Sequence, residues 1–151
     1  MENKPAFCVQ QLIRFSHCDP AGIVYYPQYF NMFQSLIEDW FNTELKINYA
    51  DFITVRQLGL PTARIECDFM VPSKIGEVLD LSLQIKRVGS KSFTLAIVGK
   101  LGNQLRIKAE NVLVTTSLQT HTAILIPEDL LEKLNGYQQS TNHQQLKEGE
   151  S

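Results

Sequence analysis

The sequence predicts a two-layer α+β domain in which one antiparallel sheet packs against one long apolar helix. Residues 64–71, 78–88, 92–98 and 105–118 alternate apolar and polar side chains, as strands with one buried face do. Short connections rich in Gly, Pro, Ser or Asn separate these runs, which favours antiparallel neighbours. From residue 27 to residue 41, apolar side chains recur every three or four positions, so a helix of about four turns with a broad buried face is expected.

The remaining elements complete this architecture. Residues 7–15 are predicted to form a first strand, with Phe7, Val9, Ile13 and Phe15 on one face. Pro27 suits a helix start, because its missing N–H is not needed in the first turn. The predicted helix buries a stripe formed by Phe30, Phe33, Leu36, Ile37, Trp40 and Phe41.

A second helix is predicted to begin at Pro127-Glu128-Asp129, with Leu130, Leu131 and Leu134 as its apolar side. Residues 135–151 are rich in Gln, Ser and Lys, so we expect them to form a polar, mobile tail. The predicted organisation is therefore a single domain over residues 1–134 followed by that tail.

The composition excludes several classes of function. Lys and Arg total 14 against 16 Asp and Glu, without the basic excess typical of a nucleic-acid-binding protein. The three cysteines, Cys8, Cys18 and Cys67, are odd in number and widely spaced, which argues against a disulfide framework and a metal site. Neither a signal peptide nor an apolar run of membrane-spanning length is evident, so we expect a cytoplasmic protein in a reducing compartment.

The most informative segment is "FSHCDPAGIVYYPQYF", residues 15–30. In the simplest interpretation Asp19 is only a turn former, because Asp-Pro followed by Ala-Gly is a common turn sequence. However, the loop leads into the predicted helix, whose first N–H groups are free and partly positive. A carboxylate facing such donors suits acyl transfer, in which the donors polarise a carbonyl group. A Cys18–His17 pair is disfavoured because adjacent side chains of an extended chain point to opposite sides.

Three segments resemble a known family: "CDPAGIVYYPQYF", "LPTARIECDFMVPSKIGEVL" and "VGSKSF". They are similar to the signature, the second strand with its turn, and a hairpin of the 4-hydroxybenzoyl-CoA thioesterase family, which belongs to the hot-dog superfamily. The resemblance extends from about Val9 to Leu134. It implies a curved antiparallel sheet of about five strands wrapped around one long helix, and an acyl-CoA thioesterase that needs no cofactor or metal, since coenzyme A is part of the substrate.

The resemblance also implies roles for residues of this segment. Asp19 corresponds to the catalytic carboxylate, either as nucleophile or as general base, and the backbone N–H of Tyr26 to the donor for the thioester carbonyl. Gly22 would allow close backbone approach. The acyl pocket would be lined by Val24, Tyr25 and Tyr26, with His17 in a supporting role and Gln34 where some relatives carry an acidic residue that reads a ring hydroxyl.

Family members bind the nucleotide near the hairpin that begins after residue 85. The expected phosphate and nucleotide contacts are Lys86, Arg87, Lys91 and Ser92, with Arg106 and Lys108 as further cations. Some hydroxybenzoyl-specific members have two arginines where this chain has Gly89-Ser90. The family's proteins are dimers with the active site at the subunit interface, often paired into tetramers, and a homodimer assembling to a homotetramer is expected here.

Three alternatives for the function stay open at this point: two classes of thioesterase substrate and one binding function. A small aromatic, benzoyl-type acyl-CoA is favoured by the aromatic residues at the helix start. A short aliphatic acyl group, carried by coenzyme A or by acyl-carrier protein, fits the same catalytic residues. A coenzyme A-binding module without turnover is disfavoured, because Asp19 is intact.

Overall fold

A computed structural model describes the backbone of residues 7–149 and the side chains of residues 7–138. One antiparallel sheet has five strands: β1 (Phe7–Leu12), β3 (Thr62–Phe69), β4 (Val78–Val88), β5 (Ser92–Leu101) and β6 (Gln104–Val114). Their order is β1-β4-β5-β6-β3, so β3 lies at one edge. A three-stranded sheet joins β2 (Leu58–Gly59), β7 (Thr116–Ser117) and β8 (Thr122–Ala123) in the order β2-β7-β8. The predicted α+β class with a five-stranded antiparallel sheet is confirmed.

Helix α1 (Pro27–Trp40) confirms the predicted long helix and forms the second layer. Its buried residues are Tyr29, Met32, Phe33, Leu36, Ile37 and Trp40. The core beside it contains the inward residues of the central strands: Leu79, Leu81, Leu83, Ile85, Phe93, Leu95, Ile97, Ile107, Ala109 and Leu113. Full burial of one such large side chain stabilises the fold by about 1.5–3 kcal/mol. Phe30, predicted to be on the buried stripe, is instead 36% exposed.

The first strand is shorter than predicted. Ile13 still hydrogen-bonds with the sheet, through its N–H to Glu77 O (2.8 Å) and its carbonyl to Gly76 N (2.8 Å). The chain then turns into a short 3-10 segment at Phe15–His17. Phe15 is consequently 82% exposed rather than inside the sheet.

The last long strand also stops early, at Val114. The next residue, Thr115, is fully buried; its N–H still donates to Lys91 O at 2.8 Å, in the register of β5 and β6, but its hydroxyl donates to Ile124 O at 2.9 Å. The chain then enters the small sheet. Sequence patterns did not predict that sheet, because two-residue strands are too short to show alternation.

Two helical regions surround the far end of α1. A π-helical turn (Phe41–Leu45) follows it directly, and helix α2 (Tyr49–Thr54) comes next; neither was predicted. Helix α3 (Glu128–Gly149) begins where predicted and buries Leu130 and Leu134, but it continues well past Leu134. The mobility expected for residues 135–151 stays a prediction, and residues 150–151 lie outside the described part of the chain. No helix of that described part is long and apolar enough to cross a membrane.

Candidate active site

The loop before α1 forms a tight hairpin of its own. Cys18 and Val24 pair as an isolated antiparallel bridge, and the Asp19 N–H donates to Ile23 O at 3.0 Å. Gly22 closes the turn at φ +78°, a left-handed conformation that favours glycine, and its N–H donates to Asp19 O at 2.9 Å. The hairpin therefore fixes the Asp19 backbone from both sides.

The Asp19 carboxylate forms a hydrogen bond through one of its two oxygens. Its Oδ1 accepts the Ala21 N–H at 2.9 Å, the local turn bond that the simplest interpretation predicts. Among the residues that the structure describes, the other carboxylate oxygen has no hydrogen-bond partner, and the residue is partly exposed. One carboxylate oxygen is thus available for a ligand or a water molecule.

The start of α1 leaves one amide group available as well. Tyr26 is the N-cap, and Pro27, the first helical residue, has no N–H. The next two N–H groups are used, since Gln28 donates to Tyr25 O at 2.9 Å and Tyr29 donates to Tyr26 O at 3.1 Å. Within residues 7–149 the Tyr26 N–H donates to no acceptor, so it is the amide at this helix start that a bound oxygen can reach.

A second segment, residues 72–77, supports the hairpin from outside. The Val24 N–H donates to Ser73 O at 2.9 Å, and the Ile75 N–H donates to Gly22 O at 3.0 Å. Ile23 and Lys74 form the bridge between these two contacts. The hairpin is therefore held as a small added strand pair and does not hang free from the sheet.

Arg106 lies beneath that support and is not free to bind a phosphate. It is 7% exposed, and its guanidinium forms a two-point ion pair with Glu77, at 3.0 Å to Oε1 and 3.1 Å to Oε2. Arg106, and after it the Lys74 N–H, lower the pKa of the Glu77 carboxyl. The expectation that Arg106 is a candidate phosphate ligand is wrong, because the side chain is buried and each of its three nitrogens already donates inside the protein.

His17 and Cys18 are held by Arg14 and not by each other. The His17 Nδ1 accepts the Arg14 N–H at 2.9 Å, and the Cys18 thiol donates to Arg14 O at 3.4 Å. Burial, followed by the charge of Arg14, lowers the pKa of His17, which favours the neutral ring. Burial and the Asp19 carboxylate raise the pKa of Cys18, which disfavours a thiolate.

Aromatic rings surround the helix start and leave much of their surface exposed. Tyr25 and Tyr26 have ring centroids 5.5 Å apart, and Tyr26 lies 6.0 Å from Phe69 at the end of β3. Tyr25, Tyr26 and Phe69 are each at least half exposed, whereas Val24 is partly buried. The sequence did not identify Phe69 as part of this cluster. These rings form an apolar surface next to the available Tyr26 amide.

Gln34 forms its hydrogen bonds away from the start of α1. It lies about two turns along α1 from Tyr26. Its amide donates to Glu38 Oε2 at 3.1 Å and to Tyr49 Oη at 3.3 Å. Burial raises the pKa of Tyr49, which therefore remains a neutral phenol and can accept the bond.

The residues predicted to bind coenzyme A lie at the opposite end of the sheet. β4 has 11 residues, so its two ends are roughly 33 Å apart. The Asp19 hairpin adjoins the start of β4, whereas Lys86, Arg87, Lys91 and Ser92 lie at or just beyond its end. A single protomer does not bring these two groups together.

Three of the predicted cations differ in availability. Lys86 pairs with Glu110 beside a cavity of about 370 Å³, which Arg87 also lines together with Arg64, Glu66, Thr94 and Val112. Lys108 lies 3.9 Å from Asp68. No group of three or more potential metal ligands occurs among the residues that the structure describes.

Both the sequence and the fold match those of known proteins. The family model described as the Thioesterase-like superfamily matches residues 13–134. The chain belongs to this superfamily. Its membership, together with the hot-dog structures named below, confirms the predicted fold and the predicted enzyme class, an acyl-CoA thioesterase.

The relatives named here are enzymes for aromatic thioesters. The chain is 22% identical to a 1,4-dihydroxy-2-naphthoyl-CoA hydrolase of Nostoc punctiforme over 85% of this chain and 86% of the relative. It is 27% identical to the enzyme of that name from Synechococcus elongatus, over 83% and 92% of the two chains. These names support the superfamily, but they do not support the narrower resemblance to 4-hydroxybenzoyl-CoA thioesterases.

Solved structures show the same fold. A 1,4-dihydroxy-2-naphthoyl-CoA thioesterase from Synechocystis aligns with a TM-score of 0.77 and 22% identity, covering 85% of this chain and 94% of the other. A gentisyl-coenzyme A thioesterase aligns with a TM-score of 0.77 and 21% identity, covering 85% and 99%.

Proposed function

We propose that this thioesterase hydrolyses the thioester of a small aromatic acyl-CoA to the free acid and coenzyme A. The observation that carries the proposal is that, among the described residues, one Asp19 carboxylate oxygen has no hydrogen-bond partner and the Tyr26 N–H, at the helix start that follows the hairpin, has no acceptor. The names of the relatives, which act on naphthoyl and gentisyl thioesters, support an aromatic acyl group.

The chemistry follows from these two groups. The Tyr26 N–H donates to the thioester carbonyl oxygen and stabilises the negative charge that develops there. The Asp19 carboxylate either attacks the carbonyl carbon, giving an anhydride that water then hydrolyses, or takes a proton from the water that attacks. In both routes the C–S bond breaks, the thiolate of coenzyme A leaves and takes up a proton, and one water molecule is consumed.

The aromatic surface explains the preference for an aryl group. The rings of Tyr25, Tyr26 and Phe69 border the Tyr26 amide and are open to solvent in the protomer. Edge-to-face or offset contacts with a substrate ring would bury this surface. His17 supports the hairpin through its bond with Arg14 and does not act on the substrate.

A homodimer completes the site in this proposal. β3 is an edge strand, and its Phe69 end lies beside the catalytic hairpin. If two β3 strands pair antiparallel, the Thr62 end of one subunit comes next to the Phe69 end of the other. Thr62 is in register with Leu113, and Leu113 with Phe93, so Lys91 and Arg87 of one subunit approach the hairpin of the other. The dimer then places phosphate-binding cations near Asp19, and such dimers can pair further into a homotetramer.

The test is thiol release from a panel of acyl-CoAs with benzoyl, hydroxybenzoyl, naphthoyl, phenylacetyl and aliphatic groups. We expect the highest kcat/KM on aryl esters and a loss of about 10³-fold or more in Asp19→Asn, which keeps the shape but removes the carboxylate. Asp80→Asn, at an exposed position on β4, is the matched control and should keep wild-type activity. Near wild-type turnover by Asp19→Asn would refute the mechanism, and a maximum on aliphatic esters would refute the aryl preference.

A further inference from the structure

Beneath the hairpin, an ion pair between the buried Arg106 and the partly buried Glu77 connects the sheet to both proposed catalytic groups. We propose that Arg106 and Glu77 are positioning residues, which hold the Asp19 hairpin and the start of α1 in the geometry for hydrolysis. This inference rests on the function proposed above. Neither residue belongs to residues 15–30, which contain the proposed catalytic groups. Arg106 is connected to them through Pro72 and Ser73.

The first step is the set of hydrogen bonds that all three guanidinium nitrogens of Arg106 form. Its Nε donates to Gln104 Oε1 at 2.7 Å, and its Nη1 donates to Pro72 O at 3.1 Å and to Ser73 Oγ at 3.2 Å. Together with the two bonds to Glu77, these contacts hold both ends of the segment 72–77. The planar fork of arginine permits this arrangement, whereas a lysine ammonium cannot reproduce it.

The second step is the connection from segment 72–77 to the hairpin. The Ser73 carbonyl accepts the Val24 N–H, and the Ile75 N–H donates to the Gly22 carbonyl. On the other side of the hairpin, the Ile23 carbonyl accepts the Asp19 N–H. A shift of segment 72–77 therefore moves the strand that faces Asp19.

The third step leads to the helix start. Tyr29 is 4% exposed and Ser73 is fully buried. Burial raises the pKa of the Tyr29 phenol, and Ser73 opposes that rise. Arg106 acts on the same phenol through its charge. The Tyr29 N–H donates to Tyr26 O, so the residue that Ser73 and Arg106 influence electrostatically is part of the turn that presents the Tyr26 amide. The network thus reaches both the carboxylate and the amide of the proposed site.

Stability alone does not account for such a pair. Burying two charges costs desolvation energy, and apolar residues of similar size often give equal or greater stability. What apolar residues cannot supply is the set of directed bonds to Pro72, Ser73 and Gln104, which fix positions within fractions of an ångström.

The experiment compares two variants of the buried pair with one variant of an exposed pair. Arg106→Lys keeps the charge but loses the fork. The double variant Arg106→Met/Glu77→Leu removes both charges and leaves neither one unpaired. The control is Arg56→Met/Asp129→Leu, which removes a more exposed two-point ion pair that lies outside both the hairpin and the predicted nucleotide contacts. For each, kcat and KM on the best aryl-CoA, thermal midpoint, and hydrogen exchange of the Val24 and Ile75 amides are measured.

We expect both buried-pair variants to fold, to exchange the Val24 and Ile75 amides faster, and to lose about 10- to 100-fold in kcat with little change in KM, because small misplacements of catalytic groups are costly. The control should resemble the wild type in all three readouts. In an Asp19→Asn background, Arg106→Lys should lower the residual rate by much less, since the carboxylate that it positions is gone.

Two results would overturn the inference. One is a double variant with wild-type kcat. The other is a loss of kcat that only follows the thermal midpoint while Val24 and Ile75 keep their protection. Failure of the proposed function is seen separately, as a wild type without thioesterase activity or an active Asp19→Asn. In that case the hydrogen exchange alone decides whether the ion pair holds the hairpin.

Discussion

Replacing Gly22 by alanine tests whether the hairpin geometry supports catalysis. Gly22 has φ +78°, and a Cβ atom built there meets no other atom within 4 Å. The substitution therefore creates no steric clash, and any effect comes from the backbone conformation alone. Gly22 also links the hairpin in two directions, through its N–H to Asp19 and its carbonyl to Ile75.

The magnitude can be worked from these facts. A left-handed conformation costs a non-glycine residue roughly 1–2 kcal/mol. Alanine also restricts the unfolded chain more than glycine does, which stabilises the folded state by about 0.4–1 kcal/mol. The net loss is then about 1 kcal/mol, or about 2–4 °C in thermal midpoint for a domain of this size. If the loop relieves the strain by shifting Asp19 about 1 Å, kcat/KM falls by about 100-fold.

Gly102 supplies a matched control. It has φ +60°, has equally open space around it, and lies in the turn between β5 and β6, outside the Asp19 hairpin. Thermal unfolding and thiol release are measured for Gly22→Ala, Gly22→Asn and Gly102→Ala. All should be somewhat less stable than the wild type, with the asparagine variant least affected because Asn tolerates positive φ. Only Gly22→Ala should lose most of its activity.

Two outcomes would refute the reasoning. If Gly22→Ala is as stable and active as the wild type, the turn does not need its left-handed conformation. If Gly102→Ala loses as much activity as Gly22→Ala, the effect is a general one of reduced stability and says nothing about the hairpin.

Two further predictions concern stability. Arg106 depresses the pKa of Glu77, so the pair's contribution is fully present above the unfolded value of about 4.3 and is lost as the pH falls through the lower folded value. The free energies of unfolding of wild type and Glu77→Gln, measured in urea, should differ by a constant amount from pH 7 to pH 5 and converge below about pH 4. A constant difference down to pH 2 would contradict this. Leu83→Ala in the buried sheet should cost about 2–5 kcal/mol in urea unfolding, against less than about 0.5 kcal/mol for the exposed Val55→Ala, and equal costs would refute the core assignment.

The fold was largely predictable because its main elements have strong periodicity. β4 and β5 alternate over ten or more residues, and α1 carries apolar residues at helical spacing over its full length. The errors lie where tertiary contacts override local pattern. Phe15 fits the alternation of β1, but the chain has already turned away from the sheet to reach the hairpin. The π-helical turn and the small sheet have no periodic signal of sufficient length.

The sequence brings residues of the candidate site together only where they are close along the chain. Asp19, Gly22 and Tyr26 lie within one motif, so their proximity follows from a single turn. The contacts that support them come from distant segments. Glu77 and Arg106 are separated by 29 residues, and Arg106 sits in a strand where alternation assigns it to the polar face. That alternation suggested a solvated cation, because it carries no information about the segment 72–77 that covers the side chain.

The two interpretations of Asp19, as a turn former and as a catalytic carboxylate, are compatible because the carboxylate has two oxygens. Oδ1 closes the turn by accepting the Ala21 N–H, and the same bond orients the group so that its second oxygen remains available. The Ala21 bond orients the carboxylate within its turn, whereas segment 72–77 holds the hairpin as a whole. The Ala21 bond also makes Asp19→Asn a clean substitution, because the amide oxygen can still accept the Ala21 N–H while the negative charge is lost. A change in turnover without a change in fold would therefore report on the charge itself.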